Sequence, residues 1–242
     1  MNPSISPPNL GSNVFLALRT YLRAYPAWGF SPPRVQATRK LQKFGSDYGG
    51  YHVDESMIHP AAVIYSLGIG EDISFDLALI EKLGATVEAF DPTPKVKEWL
   101  FKQALPPQFH FHPFGIAGHD GEETFYLPPR NDWVSHSIVK ARQYGRESVN
   151  FPVMTLSSAM KQQEHDHIDV LKMDIEGAEY AVIEEIVRES IPVGQILVEF
   201  HHQLSSVGTS ATRRALAGLE RRGMKISYVC PRKEVFTLVR SA

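Results

Sequence analysis

Residues 168–186 read IDVLKMDIEGAEYAVIEEI, and this stretch decides the fold. Val170–Met173 is short, apolar but for Lys172, and bounded by polar residues, the pattern of a strand covered on both faces. The strand stops at Asp174, and Gly177 follows where the chain must turn sharply. From Glu176 onward Ala178, Val182, Ile183, Ile186 and Val187 recur at helical spacing, so a helix leaves the turn and packs back on the sheet. This is half of a parallel crossover unit. Its acids stand at the carboxyl end of a central strand, where open α/β sheets bind their ligands.

Lys172 and Asp174 are two apart and point to the same side of the strand. A lysine inside an apolar strand is costly unless it is paired or reaches water. Lys172 therefore either forms a structural pair with an acid or lines a polar cleft beside Asp174. Glu176 and Glu179 lie near a helix start, where the dipole favours negative charge. Taken alone, they read as helix-start residues and no more.

On the amino-terminal side the pattern becomes regular at Val63. VIYSL is a strand, GIGEDIS a glycine-bearing turn, and Phe75–Leu83 a helix ended by Gly84. Thr86–Phe90 is the next strand, closed by Asp91-Pro92, with Pro94 in the first turn of another helix. Phe109–Phe114 is a third strand, and residues 119–127 supply a turn and a fourth. Pro152–Thr155 is extended, and Ser157 or Ser158 is placed to cap a short helix. Beyond the central unit come the strand Gln195–Glu199 and a helix from Thr209 or Ser210 to Arg222, closed by Gly223. Strand–helix alternation over Val63–Arg222 predicts an α/β fold with a doubly wound, mostly parallel sheet. KISYV (225–229) and EVFTLV (234–239) are separated by four residues, so they pair antiparallel and the sheet finishes with a reversed strand.

The flanks are less regular. Residues 1–10 are rich in proline and serine and read as mobile. Val14–Tyr25 and Val35–Lys43 read as short helices, and residues 45–53, GSDYGGYHV, as a tight loop entering a strand. Tyr25, Trp28 and Phe30 need cover, so they pack on the main domain, form a dimer contact or belong to a substrate lid. Residues 128–150 form a long polar stretch, and a loop of that length is usually functional. It is expected to close over a substrate with Trp133 and His136 facing it. The division is an N-terminal extension over 1–44 and a domain over 45–242.

At 242 residues the chain can bury a sizeable core, and its 43% hydrophobic and 21% charged content is ordinary for a soluble protein. A formal net charge of -2 carries no nucleic-acid footprint. The single cysteine, Cys230, excludes an intrachain disulfide and Cys-rich metal sites and suits a reducing compartment. No apolar run approaches membrane-spanning length, and Arg19 and Arg23 interrupt any signal-peptide core. The expectation is a soluble, cytoplasmic protein with neither nucleic acid nor membrane as partner.

Ser66–Glu71 stands directly between a strand and a helix, and its glycines let a ligand approach the backbone. About twenty residues on, Asp91 ends the second strand, placed to bind a ribose diol. The third glycine of a dinucleotide fingerprint is missing, and Glu71 and Asp72 put negative charge where phosphates would lie. That argues against NAD and for an adenosine ligand with cationic groups in place of phosphates. S-adenosylmethionine fits.

With these residues in hand, the chain resembles the FkbM-type methyltransferases, a branch of the class I S-adenosylmethionine-dependent enzymes. The matching pieces are VIYSLGIGEDISFD (63–76), VEAFDPTP (87–94), FPVMTL (151–156), IDVLKMDIEGAEY (168–180) and QILVEFHH (195–202), with SDYGGYHV (46–53) and DWVSHSI (132–138) as weaker ones. The resemblance implies a seven-stranded Rossmann-like sheet whose last strand is antiparallel. It places the cofactor against Leu67, Gly68, Gly70, Glu71, Asp91, Pro92, Ile116 and Asp174, with Ile116 near the adenine. It also implies O-methylation of a sugar or other small natural product as acceptor.

Methyl transfer to oxygen needs an in-line approach and removal of the hydroxyl proton. Glu199 and His201 lie two apart at a strand end that should neighbour Asp174. Asp174, Glu199 and His201 could together hold Mg²⁺ or Mn²⁺. Alternatively His201 or Asp174 acts as a metal-free base, with Lys172 beside them as a further catalytic candidate, or the groups merely pair. His110 and His112 read as half-exposed sheet positions, His165 and His167 as solvated, and His202 as pointing away from His201. Rival functions are a nicotinamide-dependent oxidoreductase and a catalytically silent binding domain. A homodimer stays open.

Overall fold

The computed structural model describes residues 28, 31–127, 137–139, 147–204 and 206–241. The strands, in chain order, are β1 (Gln42–Phe44), β2 (Tyr51–Val53), β3 (Val63–Leu67), β4 (Thr86–Phe90), β5 (Phe109–His112) and β6 (Gly115–Ile116), then β7 (Gly121–Tyr126), β8 (Ser148–Met154), β9 (Ile168–Met173), β10 (Val193–Glu199), β11 (Met224–Val229) and β12 (Val235–Arg240). Seven of them form one sheet in the order β11-β12-β10-β9-β3-β4-β5. The run from β10 to β5 is parallel throughout, and the last strand, β12, lies antiparallel to both β10 and β11. This is the expected doubly wound α/β sheet with its reversed final strand. A small sheet, β6-β8-β7, and the hairpin β1-β2 stand apart from it.

The central strand β9 is buried on both faces. Leu171 and Met173 pack with Val182, Ile183 and Leu219 of the helices Glu179–Glu189 and Thr209–Arg221 on one side. Val170 joins Ile64, Val87 and Leu79 of the helix Ser74–Leu83 on the other. Each core residue fully removed from water contributes about 1.5–3 kcal/mol, so the two-sided burial holds β9 in register with β3 and β10. Gly84 ends the helix Ser74–Leu83 at φ 67°, its N–H donating to the Ile80 carbonyl.

Four local expectations are corrected. Residues 35–41 have no regular secondary structure, and the helix expected over Val35–Lys43 gives way to β1. The N–H groups of Gln36 and Ala37 donate to the Ile226 carbonyl on the edge strand β11, at 2.7 and 3.1 Å. Unpaired carbonyls of a sheet edge outweigh a weak local propensity. The helix expected from Glu176 begins at Glu179, because Glu176 and Gly177 have φ of 50° and 111°. The short helix Leu156–Gln162 is capped by Thr155, whose hydroxyl accepts from the Ser158 N–H. The Glu185 carboxylate takes the N–H groups of Leu156 and Ser157, so the Ser157 and Ser158 hydroxyls turn to Glu189 and Asp120 instead. The third strand stops at His112 rather than Phe114.

Of the three fates left open for the N-terminal aromatics, Trp28 takes the first and covers the main domain. It is 2% exposed, meets the His202 ring edge-on at 5.1 Å, and has the Arg213 guanidinium 5.1 Å from its ring. Arg213 also donates to the carbonyls of Trp28 and Ser31. Tyr25, Phe30 and the helix expected over Val14–Tyr25 lie outside the described residues.

Candidate active site

A cavity of about 720 Å³ opens at the carboxyl ends of β3, β4, β9 and β10, a size suited to a cofactor and a small second ligand. The glycine turn forms one wall. Gly68 has φ +72°, and a Cβ there would overlap the carbonyl oxygen of Asp174. Its N–H donates to the Phe90 carbonyl and the Asp174 N–H to the Leu67 carbonyl, so the turn is pinned between three strand ends. Leu67 is buried beneath it.

Lys172 lines the cavity together with Asp174, as the second sequence reading expected, and pairs with no acid among the described residues. Its ammonium donates to the backbone carbonyls of Leu67, at 3.3 Å, and Gly68, which clamps the turn from below. Its charge opposes the upward push that burial gives the carboxyls of Asp76, raised to about 6, and Asp91. Asp91 is 6% exposed, and its two oxygens accept from the N–H groups of Gly70 (3.1 Å) and Thr93 (2.9 Å). A carboxylate has about four lone-pair sites, so acceptor capacity remains for a ribose hydroxyl. Pro92 and Ile116 line the cavity beside it. Glu71 pairs with Lys95 at 3.8 Å. Asp72 accepts from the Ser46 hydroxyl (2.6 Å) and the Ser74 N–H (2.9 Å), which ties the loop carrying Tyr48 to the glycine turn. Burial pushes the Asp72 carboxyl up, but hydrogen bonds from Ser46, Ser74 and Gly49 outweigh it and hold it below the usual range.

The opposite wall holds the acids and the histidine. Asp174, Glu176 and His201 offer one ligand atom each within 4.8 Å of one another. His201 Nε2 lies 3.3 Å from a Glu176 oxygen and 3.7 Å from one of Asp174. Its Nδ1 meets Glu179 at 2.5 Å, and Glu179, fully buried, also accepts from the Gly177 N–H at 3.0 and 3.2 Å. Burial works against charge on His201, but Glu179, then Glu176 and Asp174, outweigh it and raise its pKa to about 10. Without a cation, the imidazole is therefore protonated on both nitrogens at neutral pH and cannot accept a hydroxyl proton.

The ligand trio expected as Asp174, Glu199 and His201 differs by one member. Glu199 lines the same cavity but stands outside the group, and Glu176 takes its place because the positive φ at Glu176 folds the chain back toward His201. Burial, then the charge of Asp174, pushes the Glu199 carboxyl up to about 7. Sequence reasoning passed over Glu176 and Glu179; the signal was the turn DIEGAE itself, where a helix dipole seemed explanation enough. It also missed Tyr48, Tyr51 and Arg232, which line the cavity from the loop before β2, from β2 and from the turn before β12.

The remaining histidines have structural partners. His110 and His112 meet the buried Glu88 at 2.9 and 2.6 Å, which corrects the half-exposed reading for His112, whose side chain is 15% exposed. His165 contacts the Tyr65 hydroxyl at 3.0 Å, so it is not simply solvated, while His167 meets Asp166 at 2.7 Å at the surface. His202 points away from His201 as expected, against Trp28 and Thr212, and burial followed by the His201 charge lowers its pKa to about 4. Trp133 and His136 lie outside the described residues.

The donor set fits S-adenosylmethionine. A backbone wall without Cβ atoms, a ribose acceptor at Asp91 and an acid-rich lining suit a ligand with sulfonium and ammonium charges.

Comparison with known proteins agrees with this geometry. Over 141 residues the chain is 29% identical to the probable methyltransferase-like protein 24 of Homo sapiens and to its counterpart in Rattus norvegicus, covering 57% of this chain and 32% of each relative. It thus spans about a third of the length of those curated relatives. Among solved structures, Aeropyrum pernix fibrillarin with bound S-adenosyl-L-methionine aligns over 84% of this chain and 83% of its own, at 9% identity and a TM-score of 0.40. At that score the likeness adds nothing to what the strand order already says. The family model of the methyltransferase FkbM domain matches residues 64–226, from β3 through the ends of β9 and β10 into β11. This protein therefore belongs to the FkbM methyltransferase-domain family.

Proposed function

We propose that the chain methylates a hydroxyl oxygen of a small acceptor, a sugar or another small natural product, from S-adenosylmethionine, with Mg²⁺ or Mn²⁺ held by Asp174, Glu176 and His201. One observation carries this reading. His201 turns Nε2 to two carboxylates while Nδ1 is committed to a fully buried third, Glu179. A carboxylate behind a ligating imidazole fixes its tautomer and raises its basicity. Two carboxylates and one imidazole suit hard divalent cations.

S-adenosylmethionine supplies the electrophilic methyl group. A cation at the three ligands would lower the pKa of a hydroxyl bound to it. The remaining work belongs to the chain. The Gly68 turn, clamped by Lys172, gives the cofactor a rigid wall, and Asp91 offers lone pairs to its ribose. Glu199 lies in the same cavity and offers a carboxylate to receive the acceptor proton. Positioning of the two reactants supplies much of the rate.

The acid-rich lining and the net charge of -2 favour a neutral or cationic acceptor over nucleic acid. No helix among the described residues is long and apolar enough to cross a membrane. A cytoplasmic location is part of the proposal and rests on the single cysteine.

The test is calorimetry with S-adenosylhomocysteine and Mn²⁺, followed by methyl transfer from labelled S-adenosylmethionine to a panel of sugars. Both ligands should bind, His201→Ala should lose Mn²⁺ alone, and EDTA should abolish transfer. Absence of Mn²⁺ binding at millimolar concentration with S-adenosylhomocysteine present would remove the cation from the mechanism. Transfer that persists in EDTA would do the same.

A further inference from the structure

Glu176 is the ligand whose backbone is least at ease. Its φ is +50°, a region that costs a non-glycine residue about 1–2 kcal/mol. Such conformations persist only where the surroundings over-determine them. Here the determining contacts come partly from outside β9 and its helix. Ser137, completely buried, donates its hydroxyl to the Glu176 carbonyl at 2.6 Å. The next N–H, that of Gly177, is held by the Glu179 carboxylate. Val139 packs on Gly177 so closely that a Cβ at 177 would strike its side chain.

Ser137 is itself fixed. Its backbone N–H donates to the Tyr126 carbonyl at 3.2 Å and its carbonyl accepts from the Tyr126 N–H at 2.8 Å, which anchors it to the end of β7. Its hydroxyl oxygen also accepts from the Val139 N–H at 3.0 Å. The hydroxyl proton is thus committed to one carbonyl, that of the residue whose carboxylate faces His201. An alanine would fill nearly the same space but remove this hydrogen bond, loosening the turn that aims the carboxylate.

We propose that Ser137 is a positioning residue that holds Glu176 in its left-handed conformation and so aims its carboxylate at His201. Through its bridge to the end of β7, Ser137 thereby ties the acid–histidine group to the segment beside the small sheet. The cation arm of the test rests on the proposed function; the imidazole arm does not.

The experiment is a double-mutant cycle on the full chain with S-adenosylhomocysteine bound, reading Mn²⁺ affinity by electron paramagnetic resonance. Ser137→Ala should weaken Mn²⁺ about tenfold, the scale of one buried hydrogen bond, with S-adenosylhomocysteine affinity unchanged. Glu176→Gln should weaken it further, and adding Ser137→Ala to that variant should cost nothing more. A full tenfold loss in the Glu176→Gln background overturns the proposal, because independent effects add. Should the alanine variant not fold, Ser137→Cys, a far weaker donor of similar size, takes its place. In the metal-free protein, nitrogen NMR of the His201 imidazole should show its titration midpoint lowered by Ser137→Ala and by Glu176→Gln in the same sense. If the wild-type chain binds no Mn²⁺, the cation reading fails and this second arm still judges Ser137. An unchanged midpoint in Ser137→Ala overturns the proposal.

Discussion

Replacing Glu179 by glutamine keeps the side chain's shape and removes one buried charge. Glu179 is fully buried, and its oxygens take the His201 Nδ1–H at 2.5 Å and the Gly177 N–H at 3.0 and 3.2 Å. His201 titrates at about 10 against an ordinary 6.5; burial lowers it, and Glu179 leads the groups that raise it. A difference of that size corresponds to roughly 5 kcal/mol of stabilisation. The folded pKa lies above the unfolded one. The contribution is therefore complete below about pH 6.5 and is lost as pH rises through about 10. In Glu179→Gln the imidazole keeps only Glu176 and Asp174, and its pKa falls toward the ordinary value. Breaking a buried pair by removing one partner typically costs about 3–5 kcal/mol. Urea unfolding of the metal-free protein from pH 6 to 10 should show the wild type losing stability across this window, and the variant weaker at pH 6 with a flatter profile. The difference between the two profiles cancels the other titrating groups. A variant with the wild-type slope, or with a His201 imidazole titrating unchanged by NMR, would refute the assignment of Glu179 as the anchor.

Asp91→Ala leaves the N–H groups of Gly70 and Thr93 without their acceptor, so it should cost about 1–3 kcal/mol for each in stability, besides weakening S-adenosylhomocysteine. Asp91→Asn keeps one acceptor and should lose less; equal melting temperatures for the wild type and the alanine variant would contradict this. Trp28→Ala removes an indole that is 2% exposed and carries the Arg213 contact, so the urea midpoint should fall by an amount equivalent to about 3–5 kcal/mol. An unchanged midpoint would show that the N-terminal segment adds nothing to the domain.

Periodicity read along the chain determined the strand–helix alternation, the glycine turn after β3, Asp91 after β4 and the reversed final strand. Each of these is a local pattern of burial or of turn chemistry, and such patterns are written in neighbouring residues. It did not determine which acids meet His201. That depends on the register of β9 against β10, where Val198 lies opposite Met173, so that Asp174 and Glu199 leave adjacent strand ends together. It depends equally on the positive φ at Glu176, which Ser137 stabilises from a distant part of the chain, with Glu179 holding the next N–H. The same holds for residues 35–41, where Gln36 and Ala37 hydrogen-bond to Ile226 of β11 in place of forming a helix. Both contacts join groups distant in sequence, Ser137 with Glu176 and Gln36 with Ile226. Local propensity amounts to a few tenths of a kcal/mol per residue, whereas an unpaired buried carbonyl or carboxylate costs about 1–3 kcal/mol or more, so tertiary pairing decides wherever the two conflict.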